Sequence, residues 1–136
     1  MQLNPYLFFN GQCEAAFKFY EHALGGKIVA MMSHAGTPAE GQVPKEWRDK
    51  IMHARLVVDD CVLMASDVPP DRYEAPKGFS VSLGIKEPAE AERAFQALAD
   101  GGTIRMPIQE TFWARRFGML VDRYGIAWMI NCEKPQ

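Results

Sequence analysis

The sequence predicts an α+β fold of two tandem βαβββ modules, with helices covering one face of mostly antiparallel strands. Three observations carry that expectation. A helix exit is used twice, as Ala23-Leu24-Gly25-Gly26-Lys27-Ile28 and as Ala99-Asp100-Gly101-Gly102-Thr103-Ile104. Glycine just past a helix end takes the left-handed conformation that caps it. Each exit follows a stretch of helical periodicity. Each half then closes on two apolar runs around a short polar turn, Asp59-Asp60 in the first and Asp122-Arg123-Tyr124-Gly125 in the second.

The elements follow in order. Tyr6-Leu7-Phe8-Phe9 reads as a short strand, and Asn10 is placed to cap the next helix. In that helix Cys13, Ala16, Phe17, Tyr20, Ala23 and Leu24 recur on one face of a 3.6-residue period. Ile28 to Met32 is a strand. Residues 33 to 49 are rich in Ser, Gly, Pro and charge, as a long loop or lid would be. Ile51 to Val58 and Cys61 to Ser66 form a hairpin. Asp67 to Gly78, with Pro69, Pro70 and Pro76, is a linker.

The order then repeats. Phe79 to Ile85 is a strand. Glu87 to Ala99 is a helix, with Pro88 in its first turn and Ala91, Ala94, Phe95 and Leu98 inward. Thr103 to Met106 is a strand, and Trp113 to Val121 pairs with Ile126 to Asn131. Module one covers about residues 3–67 and module two about 79–132, within a single domain spanning 1–136.

Composition narrows the function classes. Of 136 residues 48% are hydrophobic, ample for a core. Fifteen basic against 17 acidic side chains give a net charge of -2. No basic stripe is present, so no nucleic-acid partner is expected. No apolar run is long enough to span a bilayer, and Met1 to Pro5 lacks signal-peptide character. Cys13, Cys61 and Cys132 are odd in number and form no CxxC, which fits a reducing cytoplasm better than a disulfide or zinc framework. No GxGxxG loop lies between a strand and a helix, and no cofactor is expected.

Several of these segments carry a resemblance. Tyr6-Leu7-Phe8-Phe9-Asn10-Gly11, Phe19-Tyr20-Glu21, Leu24-Gly25-Gly26, Met52-His53-Ala54 and Met64-Ala65-Ser66-Asp67 fall in order. Trp113, Arg116-Phe117-Gly118, Asp122, Gly125 and Trp128 follow. Together they resemble PhnB-like proteins of the vicinal oxygen chelate superfamily, with glyoxalase I, bleomycin-resistance proteins and extradiol dioxygenases. The resemblance implies a curved, cup-shaped sheet with the helices outside, and a homodimer. It also implies a divalent metal held by His and Glu on the first and last strand of each module. In this chain those places fall near Pro5, Met64, Phe79 and Met129, none of which supplies a hard-metal ligand, so no metal is expected.

Strand alternation then selects the cup lining. Pairing Val58 with Cys61 sets Arg55 opposite Met64 and His53 opposite Ser66. Pairing Val121 with Ile126 sets Arg116 opposite Asn131. The expected lining is Leu7, Phe9, His53, Arg55, Met64, Ser66, Phe79, Val81, Arg116, Met129 and Asn131: an apolar pocket with a few convergent polar groups. Cys13 reads as a small core residue, and His22 and His34 as solvated. One expectation is a metal-free protein that binds a small apolar-plus-anionic molecule across the repeat, between Arg55 and Arg116. The alternative is an enzyme acting on a small carbonyl or aromatic substrate, with His53 as general base and Arg116 as electrostatic stabiliser.

Overall fold

The computed structural model describes residues 1–135. The chain divides into two compact units, Met1–Glu74 and a second from Ala75 onward. The first contains β1 (Tyr6–Phe9), α1 (Cys13–Leu24), β2 (Lys27–Ser33), β3 (Ile51–Val58) and β4 (Cys61–Asp67). The second contains β5 (Val81–Gly84), α2 (Pro88–Ala99), β6 (Thr103–Gln109), β7 (Ala114–Val121) and β8 (Ala127–Glu133). Each is a βαβββ module, as the doubled helix exit predicts. The sheets run β1-β4-β3-β2 and β5-β8-β7-β6. The outer pairs β1–β4 and β5–β8 are parallel, and the other pairs are antiparallel. Among the described residues no helix is long and apolar enough to cross a membrane.

Each helix buries the stripe that its sequence period predicts. In α1 the buried residues are Cys13, Ala16, Phe17, Tyr20 and Ala23, and in α2 they are Ala91, Ala94, Phe95 and Leu98. The helix-side faces of the sheets meet these stripes with Ala54, Leu56 and Ala65 in one unit, and Leu120, Trp128 and Ile130 in the other.

The two glycines at each helix exit have different tasks. Gly25 (φ 69°) and Gly101 (φ 77°) take the left-handed turn. Gly26 and Gly102 permit close approach to the neighbouring strand. A Cβ on Gly26 would lie 2.7 Å from the Val57 carbonyl oxygen, and one on Gly102 would fall against that of Val121.

The start of α1 departs from the sequence expectation. Asn10 is exposed, and the N-cap residue Gln12 makes no side-chain cap. The buried carboxylate of Asp67, at the end of β4, serves instead. Its Oδ1 accepts from the Gly11 and Cys13 amides and its Oδ2 from the Ile51 amide, each at 2.9 Å. One side chain thus closes the β1–α1 turn, caps the helix and anchors the start of β3.

The loop after β2 is folded. It contains 3₁₀ turns at Pro38–Gln42 and Lys45–Trp47. His34 is buried rather than solvated, and ties the base of the loop. Its amide and Nδ1 reach the Lys50 carbonyl at 3.1 and 2.9 Å.

Candidate functional site

The candidate site is the face of the first sheet turned away from α1. Directly paired residues share a face, so the register defines two rows there. One row is Tyr6–Met64–Arg55–Ala30. The second contains Phe8 opposite Ser66 and His53 opposite Met32. The Tyr6 hydroxyl oxygen reaches over β4 to within 3.2 Å of His53 Nδ1. Their rings lie 5.9 Å apart, and the Phe8 ring is 5.3 Å from that of Tyr6. Arg55 has neither an ion pair nor a side-chain hydrogen bond among the described residues. An uncompensated guanidinium, flanked by Met64 and the Tyr6–His53 pair, is a ready partner for a carboxylate, phosphonate or polarised carbonyl.

The second unit supplies an internal comparison. Its corresponding row is Ser82–Met129–Met119–Met106, and the next is Gly84–Asn131–Phe117–Gln109. Where the first sheet has Tyr6, Arg55 and His53, the second has Ser82, Met119 and Phe117. The scaffold therefore does not require polar groups at these places. Asn131 Oδ1 is buried without a hydrogen-bond partner among the described residues. Trp113 packs edge-on against Phe117, ring centroids 5.3 Å apart.

The structure brings together His53, Arg55, Met64 and Ser66, and places Met129 and Asn131 together on the equivalent face of the second sheet. It separates the others. Leu7 and Phe9 turn toward α1, each 2% exposed, with Phe9 edge-on to Phe17 at 6.4 Å. Tyr6 and Phe8, 38% and 51% exposed, take the places expected for them. Val81 pairs with Trp128 on the helix side, and Phe79 precedes β5.

Arg116 is also corrected. Val121 pairs with Ala127, not Ile126, so Arg116 stands opposite Cys132 on the helix side. Its Nε donates to Glu92 of α2 at 2.7 Å, and that hydrogen bond raises its pKa. Arg116 is thus already matched by a carboxylate, whereas among the described residues Arg55 is not. Tyr6 was missed because Tyr-Leu-Phe-Phe is apolar on both faces. The available signal was its hydroxyl, which a tightly packed helix-side position would not accommodate without a partner.

A family model described as Glyoxalase/Bleomycin resistance protein/Dioxygenase superfamily matches residues 2–130. The chain belongs to that superfamily. Protein YjdN of Escherichia coli K12 is 34% identical over 150 residues, covering 100% of this chain and 98% of YjdN. The crystal structure of PA1353 from Pseudomonas aeruginosa is 52% identical, with a TM-score of 0.90 and 99% of each chain covered. A PhnB protein from Bacillus cereus shares the fold at 24% identity, with a TM-score of 0.79 and 97% and 99% coverage. The family match bears out the superfamily resemblance that the sequence motifs carry.

The superfamily resemblance implies a metal, and the chemistry of the donor set tests the fit. Met64 and Met129 occupy matching rows of the two sheets and offer only soft thioether sulfur. Among the described residues no three His, Cys, Asp or Glu side chains converge. These residues do not fit a hard divalent cation. Cys13 does not supply a nucleophile at this site either. Cys13, the first residue of α1, is fully buried, and burial, then Asp67, then Glu14 raise its pKa far above the usual thiol range.

Proposed function

We propose that this superfamily member binds a small molecule with an anionic group on an apolar body, on the face of the first sheet bearing Tyr6, Phe8, His53, Arg55 and Met64. The observation that carries the reading is Arg55, a cation without a partner among the described residues, at a row position where the second unit has methionine. Phe8, Tyr6 and Met64 supply the apolar surface, worth about 25 cal/mol per Å² buried before association costs. Arg116, paired with Glu92, is not part of the site.

Benzoate and phenylphosphonate, titrated by NMR against benzyltrimethylammonium as a cationic control, test it. Arg55→Met copies the second unit's residue. It should weaken anion binding roughly 10- to 150-fold, the equivalent of one charged hydrogen bond. Arg116→Ala should leave binding unchanged. Equal anion affinity in the parent and Arg55→Met refutes the proposal.

A second reading, an enzyme acting on a small carbonyl or aromatic substrate, draws on the contact between Tyr6 and His53. A positioned imidazole is the commonest general base, and Arg55 rather than Arg116 would be its electrostatic partner. Turnover abolished by His53→Gln while probe binding persists would favour this reading over simple binding. A two-fold dimer completes the proposal. Val29, Ile104, Phe112 and Trp113 are exposed apolar residues that a second copy would cover. Sedimentation of a monomer at micromolar concentration would refute the dimer.

A further inference from the structure

We propose that Tyr6 is a positioning residue for His53, and that the first sheet recognises a neutral acceptor oxygen beside the anionic group of its ligand. The inference rests on the ligand face proposed above and adds the chemistry of its second polar contact.

The Tyr6 oxygen stands 3.2 Å from His53 Nδ1. An imidazole nitrogen lone pair is a strong acceptor. A phenol is a better donor than acceptor, because its oxygen lone pair is delocalised into the ring. The stable arrangement is therefore O–H donating to Nδ1, with the ring proton on Nε2. The hydrogen bond made at one ring nitrogen decides what the other presents. Here the other is Nε2–H, a donor held in one orientation by Tyr6, whose ring lies against both His53 and Phe8.

His53 and Arg55 lie two residues apart on β3 with their side chains on the same face, about 7 Å along the strand. Both are donors. Arg55 suits a full negative charge, and Nε2–H suits a neutral carbonyl or ether oxygen. The complementary ligand is a carboxylate or phosphonate with a second acceptor oxygen nearby, attached to an aromatic or other apolar body that Phe8, Tyr6 and Met64 cover. The second unit, with Ser82, Phe117 and Met119 at the matching places, can form neither the pair nor the double donor.

Two probes separate this inference from the reading beneath it. Benzoylformate carries a carboxylate and an adjacent ketone, while phenylacetate lacks the ketone. The parent should prefer benzoylformate by about tenfold, and Tyr6→Phe should reduce that preference to near unity without changing phenylacetate affinity. Loss of phenylacetate binding in Arg55→Met with the benzoylformate preference unaffected by Tyr6→Phe would overturn the positioning role and leave the anion site standing. The ring state is read directly from ¹⁵N-histidine spectra at alkaline pH, with His53→Gln assigning the resonance. The proposal expects protonated Nε2 in the parent, and a downfield move of Nδ1 in Tyr6→Phe as its lone pair loses a donor. A proton on Nδ1 in the parent, or an unchanged Nδ1 in Tyr6→Phe, would overturn it even if neither probe binds.

Discussion

Replacing Asp67 should separate the worth of its charge from that of its shape. Its two oxygens receive three backbone amides from three places in the first unit, and it is 4% exposed. In Asp67→Asn the side-chain carbonyl can keep the Gly11 and Cys13 amides, because both use one oxygen. The new NH₂ then faces the Ile51 amide, donor against donor. One charged hydrogen bond is lost, the other two weaken, and a buried N–H is left unpaired, for a cost of about 2–3 kcal/mol. Asp67→Ala leaves three orphaned donors and removes the cap and negative charge from the N-terminus of α1. The simple sum is about 3–9 kcal/mol, but the donors share one site and do not add. We therefore expect about 4–5 kcal/mol. Urea unfolding followed by circular dichroism gives both values. Equal losses in the two variants, or a loss below about 1 kcal/mol in Asp67→Ala, would refute the account of three dependent amides.

Gly25→Ala should cost about 1–2 kcal/mol for a left-handed alanine, whereas Gly26→Ala should cost about 3 kcal/mol because its Cβ meets the Val57 carbonyl and Val58; thermal unfolding ranks them, and the reverse order would be wrong for this geometry. A thiol-exchange assay at pH 8 should find one fast thiol per folded chain, the exposed Cys61, with Cys13 and Cys132 reacting only on unfolding. Cys13 also has a pH signature. Its folded pKa is raised, so its contribution is fully present below the unfolded thiol value, roughly 8.5. Above that value stability should fall by about 1.4 kcal/mol per pH unit, and Cys13→Ala should lessen the slope.

What could be read from the sequence depended on local constraint. The β3–β4 register was legible because a two-residue turn at Asp59-Asp60 leaves one simple pairing, and Arg55 does face Met64. The β7–β8 register was misread by one residue. The Asp122 amide bonds to the Ile126 carbonyl, and the Asp122 carboxylate gathers the Tyr124 and Ile126 amides and the Trp128 indole. Ile126 is thereby held in the loop, and one residue of slip turned Arg116 to the other face. Leu7 and Phe9 were misplaced for a different reason. In β1 both faces are apolar, so alternation carries no polarity signal. The role of Asp67 was hidden because its partners lie far away in sequence. The helix stripes were legible because periodicity alone defines them.

The position of Tyr6 has a dynamic consequence. It sits on β1, a strand of four residues at the edge of its sheet, where β4 is its one strand partner among the described residues. That neighbour, β4, follows much later in the chain, so the long closure that docks β1 comes after the local β3–β4 hairpin. Short edge strands also open at lower free energy than the core behind them. Brief detachment of β1 would release His53 from its hydroxyl partner while Arg55 and Met64 stayed in place. The anion contact would then persist as the orienting contact came and went. A ligand that engages both should slow hydrogen exchange at the amides of β1 more than at those of β3, making the edge of the sheet the sensitive reporter of occupancy.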